Sequence, residues 1–314
     1  MIIAVGKKIT VRVPATSANL GPGFDCLGCA LGLYNTIHIE LNPRGQQEKL
    51  KVIITGFGEK TLPRNQNNII VRAVLSMLKK ENQPWRTMSI AMNNSIPLAR
   101  GLGSSAAAWV GGLTAARLLV QSSIKQSEDI RTACRSEGHP DNVVPAFFGG
   151  LCITRQDRDG IIWWRQTLAS DLQAVVCIPD FEIHTPKARE LMPMKYTRKI
   201  AVYTTSSAAF FVSAVTDRQS AHRDRVIHRA MMDKFHQPFR RRLVSGMDQV
   251  FTAAQKAGAL GAALSGSGPA IIALVRKKSP GKKVGEAMVR AFRKHGVRSM
   301  FHVLGFDTQG VCAL

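Results

Sequence analysis

The chain has no run approaching the roughly 20 uninterrupted apolar residues that a membrane-spanning helix needs; its longest apolar stretches are broken by Gly, Ser or charge. Its opening, MIIAVGKKITVRVPA, sets lysines after a very short apolar stretch, the reverse of a secretory signal, so a cytoplasmic location with no membrane partner is expected. Cysteine is sparse: Cys26, Cys29, Cys134, Cys152, Cys177 and Cys312 are scattered, most among apolar neighbours, which excludes a disulfide framework. Cys26 and Cys29 form a CxxC, but a zinc site needs a second pair or histidines at ligand spacing, and neither follows. There is no internal repeat or low-complexity tract, so a solenoid and a disordered tail are excluded too.

Acidic residues are in short supply. The 21 Asp and Glu face 43 Lys and Arg, leaving +22 and a pI near 10.4, a balance that raises nucleic acid or another polyanion as a partner. The bases are dispersed, however, with local density only at Arg240 to Arg242 and from Arg276 to Arg298. The second cluster lacks the interleaved aromatics that stack bases, so a solvated charged face is favoured over nucleic-acid binding.

What is present is a globular chain of 314 residues, 45% hydrophobic, long enough for two domains that share an interface. Alternating and β-branched positions predict strands over Lys8 to Val13, Leu31 to Leu41 and Lys49 to Thr55. Helical spacing follows in Asn68 to Lys80, a short strand in Thr87 to Met92, and a small-residue helix in Ser104 to Val120. Ser127 to Arg135 and Val143 to Phe148 read as further helices. From about residue 151 come strands at Leu151 to Arg155, Ile161 to Arg165 and Leu172 to Ile178, then helices at Ala208 to Arg218, Ser220 to Lys234 and Met247 to Ala257. A strand at Ala270 to Val275, a helix at Lys283 to Lys294 and a strand at Ser299 to Gly305 close the chain. Without a strict βαβ cadence the class is α+β with two lobes, divided as 1–165 and 166–314.

Three loops carry candidate chemistry. The strongest is Pro97-Leu98-Ala99-Arg100-Gly101-Leu102-Gly103-Ser104-Ser105-Ala106-Ala107, which runs straight into a helix. Glycines permit positive φ and close approach, while free N–H groups and the dipole at a helix start attract phosphate. It is not a Walker loop, because no Gly-Lys-Ser/Thr ends it. Gly101, Gly103 and Ala106 do match the dinucleotide pattern, but residues including Pro97 separate strand from glycine, and the acid wanted further on would fall at Glu128 or Asp129, a helix start. The second loop, Pro14 to Asp25, can hold Asn19 and Asp25 at one spot; taken alone it is equally a turn with a capping Asp. The third, Ser265-Gly266-Ser267-Gly268-Pro269, is on its own a structural turn.

Together and in this order the three loops resemble the three motifs of the GHMP kinase superfamily, and Glu137 to Pro145, Thr185 to Arg189 and Asp233 to Arg240 resemble its homoserine kinase branch. The resemblance covers Val11 to about Gly310. It implies a ribosomal-protein-like N-terminal lobe, a ferredoxin-like C-terminal lobe, and ATP with Mg²⁺ between them. On it, residues 97 to 107 cradle the phosphates, Asn68 lies near the adenine, and Ser105 and Glu137 approach the magnesium, which needs few protein oxygens. L-homoserine is a zwitterion: Arg189 and Arg240 suit its carboxylate and Asp25 its ammonium, with Asn19, His139, Thr185 and Gly266 around them. Asn142 stands near the hydroxyl, and Asn19, His139 and Asn142 are the catalytic candidates, acting by orientation because no general base stands out. A homodimer is implied as well. The chain departs from the pattern in segment 197–212, in the bulk of Trp109 and in its charge. The alternatives are a GHMP-type kinase of mevalonate, a sugar or shikimate, and a basic polyanion-binding protein on a kinase fold.

Overall fold

The structure, a computed structural model, describes residues 7–43 and 49–314; residues 1–6, on which the leader argument partly rests, lie outside the described residues. The strands and helices run β1 (Lys7–Asn19), β2 (Gly23–Asn42), β3 (Lys49–Gly56), α1 (Ile69–Lys80), β4 (Thr87–Asn94), α2 (Ser104–Val120), α3 (Gln126–Glu137), α4 (Val143–Phe148), β5 (Leu151–Asp157) and β6 (Gly160–Gln166). They continue as β7 (Leu172–Pro179), α5 (Thr185–Glu190), α6 (Arg198–Thr216), α7 (Arg223–Ala230), α8 (Gln237–Arg240), α9 (Met247–Lys256), β8 (Gly261–Leu264), β9 (Ile271–Arg276), α10 (Gly281–Lys294), β10 (Ser299–Leu304) and β11 (Cys312–Ala313).

Among the described residues the strands form two sheets, giving the expected α+β class. The first runs β11-β1-β2-β4-β3, and β2 is long enough to pair β4 through Thr36 to Asn42 and β5 through Leu27 to Cys29. Helices α1 and α2 pack on each other and α2 lies on β1 and β2, so Val13, Ile37, Val74, Val110 and Leu113 close one core. The second sheet runs β10-β7-β9-β8. Its central strand β7 is covered on both faces: Ala174, Val176 and Ile178 join the first core, while Val175 and Cys177 meet Val250, Met288 and Phe292 of α9 and α10. A strand buried on both sides shows no polar alternation, which is why Leu172 to Ile178 reads as a continuous apolar run.

Several boundaries differ from the sequence expectation. The stretch Pro14 to Asp25 is mostly strand, not loop: β1 continues to Asn19 and β2 begins at Gly23, with register shifts at Pro14/Ala15 and Ala18/Asn19. Bulges absorb Pro14, which cannot donate to a ladder. Helix α6 starts at Arg198, ten residues before the expected Ala208, because Thr197 caps it by accepting from Ile200 N at 3.3 Å. Its Thr and Ser residues hide the helix from propensity. Helix α7 stops at Ala230 rather than Lys234, since the Asp233 carboxylate accepts from the N–H groups of Phe235, His236 and Gln237 and turns the chain. The short strands β8 and β11 were not expected. Trp109 does not obstruct the start of α2: it is buried, with the Arg72 guanidinium 5.4 Å from its ring centroid.

Candidate active site

The three sequence loops are locked to one another by backbone. Thr16 N donates to Leu102 O, Gly266 N to Ala18 O, and Ala270 N to Arg100 O. Ser265 Oγ donates to Gly101 O at 2.6 Å, which leaves Ser17 Oγ as donor in the 2.8 Å bond between the two buried serines. Close approach is therefore what the glycines serve: a Cβ on Gly101 would overlap Ser265 O, and one on Gly103 would overlap Thr16 Oγ1. Gly103, at φ 67°, also caps α2 without a side chain. The first N–H groups of a helix have no partner within it, so the bare start of this 17-residue helix leaves donors of the kind that attract an anion.

Two cavities meet there. A polar one of about 250 Å³ is lined by Asn19, Asp25, Ser105, Glu137, His139, Asp141, Asn142, Thr185, Arg189, Arg240 and Gly266, among others. An apolar one of about 460 Å³ is lined by Leu62, Pro63, Asn68, Ile69, Met92 and Leu98, and shares Ala99, Ser104, Ser105 and His184 with the first. A flat aromatic base in the apolar chamber and a charged tail passing the helix start suit a nucleoside triphosphate. All substrate, catalytic and metal candidates thus line one chamber.

Within the polar chamber Arg189 grips Asp25 bidentately, at 2.8 and 2.7 Å. Arg240 lies beneath, 2% exposed, donating to Ala188 O and to Gly266 O at 3.3 and 3.1 Å, and both guanidinium groups sit over the Phe24 ring. Burial, then the like charge of Arg189, lowers the Arg240 pKa to about 10, which leaves it charged at neutral pH. Asn19 donates to Gly266 O at 2.9 Å and accepts from Asp25 N at 3.1 Å, so its amide is held from both ends.

His139 Nδ1 lies 2.5 Å from Asp141 Oδ1, and Asn142 accepts from Thr16 Oγ1 at 2.8 Å. Burial pulls the His139 pKa down, but the hydrogen bond and charge of Asp141, aided by Asp25, more than reverse this and leave it raised. Asp141 and Thr16 orient two of the three predicted catalytic side chains, His139 and Asn142, and were not singled out in the sequence. The signal for Asp141 was its place two residues from His139, within reach of the imidazole. Ser105 Oγ donates to Glu137 Oε1 at 2.5 Å. Burial raises the Glu137 pKa against that bond and the charge of His139. A carboxylate whose charge is disfavoured, with a hydroxyl beside it at the phosphate cradle, is a place a divalent cation fits, and Mg²⁺ keeps most of its other positions for water and phosphate. No group of three or more His, Cys, Asp or Glu that could hold a metal exists among the described residues.

Not every predicted cradle residue faces a chamber. Leu98 to Ser105 line one or both, but Pro97 lines a separate cavity with Arg298 and Met300, and Ala106 and Ala107 are buried residues of the first turn of α2. Asn68 lines the apolar chamber, yet its side chain is occupied as the α1 cap, accepting from Ile70 N and donating to Pro63 O, each at 2.9 Å.

Such a fold and site define an ATP-using small-molecule kinase of the GHMP type. Two family profiles match accordingly: GHMP kinases N terminal domain over residues 68–150, and GHMP kinases C terminal over residues 217–294. The chain is 44% identical to the homoserine kinase of Moorella thermoacetica over 92% of its own length and 94% of that protein's. It is 38% identical to that of Carboxydothermus hydrogenoformans, covering 93% and 92%. The crystal structure of homoserine kinase from Cytophaga hutchinsonii superposes with a TM-score of 0.87 at 28% identity, covering 100% and 99%. The chain belongs to the homoserine kinase family. No described helix is long and apolar enough to cross a membrane.

Proposed function

We propose that the chain transfers the γ-phosphoryl group of ATP to the side-chain hydroxyl of L-homoserine, giving O-phospho-L-homoserine for threonine biosynthesis. It acts in the cytoplasm with Mg²⁺, as a homodimer, through an ATP-binding lobe over 1–165 and a second lobe over 166–314. The observation that carries the substrate is the Asp25–Arg189 pair with Arg240 beside it. One acid and two arginines in one small chamber match an ammonium and a carboxylate on one carbon. Mevalonate and shikimate have no ammonium for Asp25, and a sugar has neither group.

Homoserine enters by exchanging partners: its ammonium takes the Asp25 carboxylate, and its carboxylate takes the freed Arg189 and Arg240. Thr185 and Gly266 close the chamber wall, and Asn142, His139 and Asn19 direct the hydroxyl at the γ-phosphorus. The substrate oxygen bonds to phosphorus as the bridging oxygen of ADP departs, and the hydroxyl proton is lost late. Ser105 and Glu137 would hold Mg²⁺, which would supply charge neutralisation to the phosphates. Backbone N–H groups at the start of α2 and residues 98 to 105 hold the triphosphate, with Asn68 bordering the adenine. Positioning and electrostatics of this kind carry phosphoryl transfer without a strong base.

ADP release measured over homoserine, mevalonate, galactose and shikimate is expected to be at least 100-fold faster with homoserine at equal concentration, roughly the discrimination a charged pair gives. A faster rate with any of the others overturns the assignment. In the same assay Arg189→Ala raises KM for homoserine by about 10- to 100-fold, equivalent to one charge-assisted hydrogen-bond pair, and leaves KM for ATP within a factor of about three.

A further inference from the structure

Residues 180–189 lead from the end of β7 into α5 and line one wall of the polar chamber. This strap touches all three loops. Ile183 N donates to Ala99 O at 3.2 Å, Thr185 Oγ1 lies 3.4 Å from Ser267 Oγ, and Arg189 grips Asp25. Within the strap only Ile183 and Ala188 are buried, so polar contacts rather than packing hold most of it. Segments held in that way are the ones that move when a ligand offers their polar groups other partners.

Two ion pairs cross between strap and loops in opposite senses. The strap's Arg189 is held by the loop residue Asp25 at 2.7 Å, and the loop residue Arg100 is held by the strap's Glu182 at 3.3 Å. Arg100 also donates to Leu98 O at 3.2 Å; its side chain is 15% exposed, against 50% for that of Glu182. A half-exposed pair of this kind is weak and readily exchanged. Arg100 borders the polar chamber within the glycine loop, and with Arg189 and Arg240 given to the carboxylate of homoserine it is the remaining arginine there. A triphosphate at the start of α2 brings to it a stronger anion than one carboxylate, with oxygens that suit a guanidinium fork. Homoserine undoes the Asp25 pair and the triphosphate undoes the Glu182 pair. Both pairs hold the same strap, so whichever substrate arrives second finds it already loosened, and the sign of the coupling is positive.

We propose that Arg100 is the cation that receives the triphosphate, that Glu182 withholds it in the free chain, and that ATP and homoserine bind cooperatively because the two arginine–carboxylate pairs latch one strap. The inference rests on the kinase reading above and adds to it a positioning residue, Glu182, that touches neither substrate. Asp180 is the internal control. It lies on the same strap but pairs outwards, with Arg298 at 3.2 Å, and both side chains are exposed.

Titration calorimetry with L-homoserine and the β,γ-imido analogue of ATP, in the presence of Mg²⁺, reads binding without turnover. In the natural chain each ligand is expected to tighten the other by about three- to tenfold, and by the same factor in both directions, as linkage requires. In Glu182→Gln the analogue alone should bind about two- to fivefold more tightly, because Arg100 is no longer withheld, and the mutual factor should fall below about twofold. Asp180→Asn should leave both affinities and the mutual factor as they are. Glu182 is exposed, so its variant should keep the natural melting temperature; if it does not fold, Glu182→Asp, which keeps the charge but is one methylene too short to reach Arg100, should show the same loss of coupling. No mutual effect in the natural chain overturns the inference, as does a mutual factor that survives in the Glu182 variants or is lost equally in Asp180→Asn. Weaker binding of the analogue alone to Glu182→Gln also overturns it, since Glu182 would then support the cradle rather than compete with it. A natural chain that binds both ligands without coupling leaves the kinase reading standing, whereas one that binds no homoserine removes both.

Discussion

An imidazole buried as deeply as that of His139 would, by burial alone, lose its proton below the ordinary value of 6.5, and it is the Asp141 carboxylate 2.5 Å away that reverses the sign. Because the folded pKa is raised, protonated His139 contributes stability that is fully present below about pH 6.5 and is lost as pH rises through the higher folded value. Asp141→Asn removes the charge and leaves the shape. His139 then titrates below its natural value, read as a shift of its ring proton resonances, and turnover falls by about 10- to 100-fold through loss of orientation. An unchanged titration would mean that Asp141 does not govern the ring. His236 shows the opposite case. It is fully buried, its Nε2 must donate to Gly21 O at 2.8 Å because a carbonyl can only accept, and burial lowers its pKa. The neutral ring leaves Nδ1 free to face Arg240 Nη1 at 3.5 Å, so His236 braces the buried arginine without adding a further cation to Arg189 beside it.

At the scale of elements, the three loops form one object, and their couplings are what a test should measure. Gly103→Ala places a Cβ on Thr16 Oγ1 in a backbone with φ 67°, and Thr16 cannot swing aside without releasing Asn142. A loss of about 2 to 4 kcal/mol is expected in denaturant unfolding, together with weaker ATP binding, since strain and overlap add. Ser17→Ala and Ser265→Ala share one hydrogen bond, so their stability losses should fall short of additivity by roughly 0.5 to 1 kcal/mol, and strict additivity would deny the coupling. Here lies the limit of what was legible beforehand. The glycine loop and the helix start at Ser104 could be read because glycine and a helix start have a chemistry of their own, whereas Asp25, Arg189 and Arg240 were singled out only by the family resemblance. That Gly101 and Gly103 face neighbouring loops could not, because close approach to a ligand and to a protein backbone demand the same residue. Thr16 and Asp141 were missed for a related reason: both act through another side chain. The early start of α6 was missed because its Thr and Ser residues carry weak helix propensity, and the cap at Thr197 is visible only once the turn is built.

For the whole molecule the excess of charge remains to be accounted for. Ion pairs offset part of it: Arg276 bridges Asp171 and Asp224, and Arg223 joins it on Asp171, pinning α7 to the second sheet. Partly exposed pairs of this sort contribute about 0 to 1 kcal/mol each, and salt weakens them. With 43 bases against 21 acids most of the charge has nothing to pair with, so at low ionic strength repulsion should outweigh attraction. Raising sodium chloride from about 0.01 M to about 0.15 M shortens the screening length from roughly 30 Å to roughly 8 Å. That range leaves contact pairs largely intact while it removes repulsion between distant cations, so the melting temperature should rise by several degrees. A fall would show that the ion-pair network governs stability in spite of the net charge. Chloride is the appropriate anion for this measurement, because sulfate or phosphate would also occupy the bare start of α2 and stabilise by binding, an effect that saturates with ligand concentration and so is separable from screening.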